Sequence, residues 1–219
     1  MLRIIALSLF LPWLIPAAED ESVKGSGTKA TETREVEGIQ GIDLRIPADL
    51  RVTIGEPGPL TIEADDNILP LIKTEVRDGT LIISSDREYL TKDAPDIQLT
   101  LADLSTLSVS GGGDVWVNGL DNKALSVSAT GAPEVRLAGS TDSLVLTATG
   151  AADVFAYDLA TRKATATLVG AADVELSVAE ELIATLTGGC DLHYKGDPEV
   201  TKTIIGGGDI KQVRADAGT

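Results

Sequence analysis

The sequence predicts an all-β protein: a parallel β-helix, or solenoid, of about six regular coils of 18–20 residues, preceded by less regular β coils. Two observations predict this fold. A motif of glycine, two small residues, an acidic residue and a β-branched residue or leucine occurs six times, and apolar and polar residues alternate on both sides of it. No repeat contains a helix-period segment. Because one coil cannot cover its own apolar face, stacking of the coils must bury it.

The repeat is aligned on its acidic residue. The six acidic residues are spaced 20, 19, 20, 18 and 18 residues apart. This nearly constant period indicates one coil per motif, with short connections that absorb the differences. We interpret the acidic residues as structural turn residues, each accepting a hydrogen bond from a backbone N–H of its own turn. They are Asp114, Glu134, Asp153, Asp173, Asp191 and Asp209.

Strand periodicity assigns two faces to the strand that precedes each acidic residue. The side chains at 9, 7 and 5 residues before it are mostly apolar, which predicts that they point inward. At 8, 6 and 4 residues before it, Ser or Thr occupies 14 of 18 places. These hydroxyl groups suit a solvated sheet or a carbohydrate contact. Ice binding is disfavoured, because Val145, Val169, Ile183 and Ile205 interrupt the array.

A second short strand follows each acidic residue, and the side chain two positions after that residue points outward by the same alternation. This column is chemically mixed, with two aromatic residues separated by an arginine. Exposed aromatic and Arg side chains are favoured in contacts with proteins and sugars. We therefore predict a binding stripe that consists of Trp116, Arg136, Phe155, Glu175, His193 and Lys211.

The first 18 residues, 1–18, are typical of a secretory signal peptide. Arg3 supplies a positive charge, an apolar stretch runs from Ile4 to Ile15, and Ala17-Ala18 supplies small residues at the exit. The stretch is shorter than the roughly 20 apolar residues that span a bilayer. The sequence therefore predicts an exported protein of the periplasm or cell surface, with no transmembrane anchor after cleavage.

The remaining chain is predicted to form one folded domain, residues 34–213. Residues 19–33 are polar and small and are predicted to be a disordered linker, and residues 214–219 a disordered tail. The first part of the domain shows strand patterns, with a hairpin turn at Asp78-Gly79 and a helical turn within residues 67–72. The last coil carries Lys202 at an inward position, which suits a polar cap on the sheet end.

Composition excludes several functional classes. The chain has 18 Lys+Arg and 34 Asp+Glu, a formal net charge of −16, and no basic cluster, which argues against nucleic-acid binding. One Cys and one His exclude a disulfide framework and any thiolate or multi-His metal site. The sequence predicts no cofactor. Calcium binding by the acidic residues is the alternative to their structural role, although the nine-residue repeat of calcium-binding coils is absent.

The order of motifs also resembles a known family. The match runs from about residue 36 to residue 213 and includes the Gly-small-small-Asp coils, which four matching segments precede. They are Gly41-Ile42-Asp43-Leu44, residues 49–55, residues 63–69 and residues 73–83. They resemble the bacterial family of auto-transporter adhesin head, or GIN, domains. The resemblance implies a right-handed β-helix behind a signal peptide, and it brings no catalytic residues.

These observations predict an exported, non-catalytic binding or structural module of the cell envelope, adhesin-like, with an envelope protein or a polysaccharide as its partner. The alternative is a carbohydrate-active β-helix enzyme, a polysaccharide lyase or hydrolase. Glycoside hydrolysis needs two carboxylates about 5–9.5 Å apart, and stacked acidic residues meet that spacing in any such solenoid. The lone His193 has no implied catalytic partner. We therefore predict that the protein is not an enzyme.

Overall fold

The computed structural model describes residues 22–213, which are almost entirely β-strand. The predicted signal peptide, residues 1–18, and tail, residues 214–219, lie outside these residues. The described part contains one 3-10 turn, Leu69–Leu71, and no helix that could cross a membrane. In chain order the strands are β1 (Val23–Lys24), β2 (Lys29–Arg34), β3 (Gly41–Leu44), β4 (Asp49–Ile54), β5 (Leu60–Asp65), β6 (Ile72–Arg77), β7 (Thr80–Ser85), β8 (Tyr89–Leu90), β9 (Asp96–Leu101), β10 (Thr106–Gly111), β11 (Asp114–Gly131), β12 (Glu134–Gly150), β13 (Asp153–Gly170), β14 (Asp173–Gly188), β15 (Asp191–Lys195), β16 (Glu199–Gly206) and β17 (Asp209–Gln212).

The repeats form the predicted parallel β-solenoid. Strands β11 to β14 pair with one another in parallel, so that each motif lies directly on the motif of the next coil. The register shifts once or twice within each pair, as between Val117 and Leu120, because the chain turns a corner there. The six motifs delimit about five turns rather than six complete coils.

Each long strand contributes to two faces of the solenoid. The N-terminal parts of β11 to β14 pair onward with β4 at one end and with β15 and β17 at the other, and we call this the stripe sheet. The C-terminal parts pair onward with β10, β3, β7 and β6 at one end and with β16 at the other, and we call this the hydroxyl sheet. Both sheets therefore run along the whole solenoid.

The core consists of aliphatic ladders between the two sheets. Residues paired in register carry similar side chains, and in the central coils those at inward positions are almost completely buried. One such ladder consists of Leu107, Val127, Leu146, Ala166 and Ala184. The predicted inward positions are thus confirmed in these coils. In the last coil Lys202 and Ile204 are exposed, because no further coil covers them.

The first part of the domain continues both sheets. Strands β3, β4, β7 and β9 pair in parallel with the solenoid strands or with one another, whereas β2, β5 and β6 pair antiparallel. The predicted hairpin joins β6 to β7, with positive φ at Asp78 and Gly79. The 3-10 turn lies within the predicted helical turn.

The interpretation of residues 19–33 as a disordered linker is wrong for the described residues 22–33. Strand β2 pairs antiparallel with β5, and β1 pairs in parallel with β8. The connection between them is held by Asn67, whose Oδ1 accepts from the Ser26 N–H at 2.9 Å and whose Nδ2 donates to the Lys24 carbonyl at 2.7 Å. Hydrogen bonds with other parts of the fold therefore give this segment a defined structure despite its polar composition.

Arg34 joins the outermost strands of the two sheets at the N-terminal end. Its Nη1 donates to the carbonyl of Ile72 at 2.9 Å and to Oγ1 of Thr74 at 3.2 Å. Its Nε lies 2.9 Å from Oε1 of Glu32, and the Arg34 side chain is only 17% exposed. The hydrogen bond from Arg34 lowers the pKa of Glu32. One side chain therefore connects β2 to β6.

We expect Arg34→Met to lower the free energy of unfolding by about 1–2 kcal/mol, because the Ile72 carbonyl loses a charged donor. Arg77→Met is the matched control, since Arg77 also pairs with the glutamate two residues before it but is 66% exposed. We expect little change for this exposed pair. Urea unfolding of the two variants measures the difference. Equal losses would show that the contacts with β6 do not stabilise the fold.

Candidate binding site

The structure aligns the outward side chains of the stripe sheet in columns. Parallel pairing in register places each member of the predicted binding stripe beside the next along the solenoid. Neighbouring strands of a sheet lie about 4.8 Å apart, so six side chains follow one another at that interval. The predicted order is therefore the spatial order: Trp116, Arg136, Phe155, Glu175, His193 and Lys211.

The stripe extends one strand further than the repeat indicates, to Arg51 on β4. Arg51 pairs in register with Trp116, and its guanidinium carbon lies 4.8 Å from the centre of the Trp116 ring. Arg51 also forms an ion pair with Asp96 on β9. A carboxylate on one side and an aromatic ring on the other hold the guanidinium, and the cation–π contact in turn fixes the ring.

The same arrangement recurs two strands along. The guanidinium carbon of Arg136 lies 5.0 Å from the centre of the Phe155 ring, and Arg136 forms an ion pair with Glu134 on its own strand. Arg136 is exposed, whereas Trp116 and Phe155 are half-buried. Cations and aromatic rings thus alternate along the stripe, on strands whose other face is the solenoid core.

A second outward column borders the stripe, and the sequence analysis did not assign it. Tyr157 lies two residues after Phe155, and the Nζ of Lys195 lies 4.0 Å from the centre of its ring. Burial raises the pKa of the Tyr157 phenol, and the carboxylate of Glu175 raises it further. A shallow cleft of about 320 Å³ is lined by Trp116, Asn118, Arg136, Leu137, Ala138, Phe155, Tyr157, Asp158, Glu175 and Lys195.

The remaining members of the stripe lie towards the C-terminal end. His193 is half-buried and lies between Glu175 and Lys211 in register. The Nζ of Lys211 lies 2.7 Å from Oδ2 of Asp209, and this contact raises the pKa of Lys211 and lowers that of Asp209. His193 and Lys211 continue the column of stripe residues but do not line the cleft.

The six acidic turn residues form a column of their own beside the stripe. At the C-terminal end, Asp209 Oδ1 accepts from the Ile210 N–H of its own turn at 2.8 Å. Asp191 Oδ1 instead accepts from the Asp209 N–H of the next coil at 3.1 Å. The side chains of the other four make no hydrogen bond to a backbone N–H in the described structure. Within residues 22–213, no three acidic, His or Cys side chains are close enough together to hold a metal ion.

From β10 to β16 the hydroxyl sheet presents an outer face of uncharged side chains. Its Ser, Thr, Val and Ile side chains stack in three columns, as in Thr147–Thr167–Thr185–Thr203. Val145, Val169 and Ile183 are each 40–48% exposed. In contrast to the stripe, these three columns contain no aromatic ring or charged group that could orient a ligand.

A larger cleft, of about 500 Å³, lies in the first part of the domain and is lined by residues 35–40, 57–59 and 100–103. Its charged lining residues, Glu35, Glu37 and Asp103, are all acidic, and it contains no aromatic ring. Aromatic rings with a few convergent polar groups are the usual lining of a binding site, which favours the stripe over this cleft.

The fold places the chain in the class of parallel β-solenoid proteins, and this solenoid carries an aromatic and cationic stripe on one outer face. The chain belongs to the family described as putative auto-transporter adhesin, head GIN domain, whose model matches residues 39–198. The resemblance seen in the sequence is thereby confirmed. Membership in this family supports an adhesin-like role for an exported or surface protein.

Solved structures share the fold. A putative adhesin from Bacteroides fragilis NCTC 9343 is 24% identical with a TM-score of 0.71, over 88% of this chain and 100% of that chain. A putative lipid binding protein from Parabacteroides distasonis ATCC 8503 is 20% identical with a TM-score of 0.53, over 88% and 100%. A putative adhesin from Parabacteroides merdae ATCC 43184 is 17% identical with a TM-score of 0.50, over 88% and 99%. No curated protein matches the chain.

Proposed function

We propose that the protein is an exported, non-catalytic, adhesin-like module that binds carbohydrate through the stripe sheet. One observation carries the proposal: Trp116, Phe155 and Tyr157 line one cleft on the outer face of the stripe sheet, and each ring is in contact with a cationic side chain. Large, ordered aromatic side chains contribute most of the binding energy at many interfaces. Membership in an adhesin family supports the same function.

The charges around the stripe narrow the class of carbohydrate. Ion pairs with Asp96 and Glu134 already neutralise Arg51 and Arg136. The acidic column runs beside the stripe, and the chain as a whole has a formal charge of −16. A polyanionic glycan would therefore be repelled, whereas a neutral or amine-bearing glycan would not. We propose a neutral or amine-bearing polysaccharide as the ligand.

The absence of catalysis is part of the proposal. The acidic side chains nearest the cleft, Asp158 and Glu175, lie on strands β13 and β14, and Glu175 is next to Phe155 in register. Neither belongs to the column of acidic turn residues, and within residues 22–213 neither carboxylate forms a hydrogen bond or an ion pair that would mark it as a catalytic group. No general acid or base with a dedicated partner accompanies them.

A glycan array tests the proposal. We expect the purified protein to bind neutral or amine-bearing glycans and to bind sulfated and uronic-acid glycans at least about tenfold more weakly, because like charges across an interface are unfavourable. Binding is expected to be equal with calcium and with EDTA, and the melting temperature is expected to be unchanged by EDTA.

Each other outcome contradicts a specific part of the proposal. Preference for polyanionic glycans would overturn the ligand class, and calcium-dependent binding would assign a calcium site to the acidic column. Cleavage of a bound glycan during incubation would show an enzyme. An array without any hit would overturn carbohydrate binding and direct attention to protein partners.

A further inference from the structure

The two ends of the solenoid differ in how their edge strands are protected. At the N-terminal end the edge strands are β2 and β6, each of which carries three charged residues within six. Arg34 also connects these two strands, as described above. Charges on edge strands prevent pairing with other chains. The N-terminal end is therefore closed.

The C-terminal end is open. Strand β16 pairs with β14 and strand β17 with β15, and in the described chain nothing pairs with their other edges. Strand β16 carries two charged residues within eight, and its Ile204 and Ile205 are 37% and 61% exposed. A strand edge with free backbone groups and exposed β-branched residues is a template for a further strand.

The charges of this end are balanced, unlike those of the rest of the chain. The coil formed by β16 and β17 carries Glu199, Lys202, Asp209 and Lys211, which sum to zero. The hydrogen bond from Lys211 lowers the pKa of Asp209 most, and the charge of Lys202 contributes to the same shift. Two copies of this end therefore meet without the repulsion that the net charge of −16 imposes elsewhere.

We propose that this end binds the same end of a second copy, with β16 of the two copies antiparallel about a two-fold axis at Thr203. In an antiparallel pair, residues directly opposite each other point to the same face of the sheet, so inward residues must lie opposite inward residues. The two-fold axis therefore passes between two copies of the same residue, and not between two positions in the sequence. An axis at Lys202 would place two ammonium groups opposite each other. An axis at Thr203 places Ile204 opposite the aliphatic part of Lys202, and Ile205 opposite Thr201. Neither β16 nor β17 contributes a residue to the cleft on the stripe sheet, so this dimer does not rest on the proposed function.

Disulfide trapping tests the register. In Thr203→Cys the two introduced thiols face each other across the axis, at a separation suited to a disulfide. Thr167→Cys is the matched control, because Thr167 occupies the same column two coils away from the end. The native Cys190 is buried and does not contribute. Under mild oxidation, we expect a covalent dimer for Thr203→Cys and a monomer for Thr167→Cys.

Sedimentation of the full chain tests the dimer without a crosslink. We expect Ile205→Lys to weaken self-association at least about tenfold, because two added ammonium groups enter the interface. Val169→Lys, on the same column and 40% exposed, is expected to leave it unchanged. Circular dichroism confirms that both variants fold. A wild-type monomer at all concentrations would overturn the proposal, as would equal crosslinking of the two cysteine variants, which would indicate pairing through the hydroxyl sheets.

Discussion

Gly170→Ala is expected to lower the free energy of unfolding by about 3–5 kcal/mol, near the upper limit for single substitutions. Gly170 has φ of +109°, a conformation that residues with a side chain rarely adopt. A Cβ at this position would also lie 2.6 Å from the carbonyl oxygen of Gly150 in the preceding coil. The contacting atoms of Gly150 are backbone atoms and not the end of a flexible side chain. The clash can therefore be relieved only by moving the two coils apart. Thermal unfolding should show a decrease in the melting temperature of about 10 °C.

Two other glycines separate the backbone strain from the clash. Gly111 has almost the same φ, +105°, but a Cβ there would meet nothing within 4 Å. Gly111→Ala is therefore expected to cost only the conformational part, about 1–3 kcal/mol. Gly189 has neither a positive φ nor a close neighbour, so Gly189→Ala is expected to change little. Equal losses at Gly111 and Gly170 would show that close approach of the coils does not require glycine.

The repeat made most of this fold predictable from the sequence. Parallel strands in register give the same environment to corresponding residues of every coil, so one alternation pattern assigns inward and outward faces throughout. The spatial order of the six stripe residues followed from that pattern, as the pairing of Trp116 with Arg136 and of Arg136 with Phe155 shows. The prediction becomes less accurate at the last coil, where the pattern continues but no further coil covers Ile204.

Some features of the fold and of the site were not predicted from the sequence. Strand β2 is polar and gains order from its pairing with β5, which nothing in its own composition indicates. Arg51 lies 65 residues before Trp116 in the chain, and only the parallel pairing of β4 with β11 brings them together. Tyr157 and Lys195 did carry a signal, because they have the same alternation parity as the stripe and lie four residues after an acidic residue. Both residues of that second outward column line the cleft beside the stripe.

Trp116→Ala is expected to weaken glycan binding about 30-fold or more, as truncation of a central aromatic residue commonly costs 2 kcal/mol or more. Trp116 points outward and is half-buried, and its main described contact beyond the sheet is the cation–π contact with Arg51. Such a contact contributes about 0.5–1 kcal/mol at an exposed site, so the variant should remain folded. Calorimetric titration with the strongest glycan from the array measures the change in affinity, and thermal unfolding measures stability.

Two further variants distinguish a direct contact from an indirect effect. Trp116→Phe keeps an aromatic ring and is expected to retain much of the affinity. Ile183→Ala removes an exposed side chain from the hydroxyl sheet and is expected to bind like the wild type, because the ligand contacts the other face. Loss of affinity in Ile183→Ala with none in Trp116→Ala would move the site to the hydroxyl sheet. Since both substitutions are on outward faces of the same rigid solenoid, a difference between them reports the location of the ligand rather than the stability of the fold.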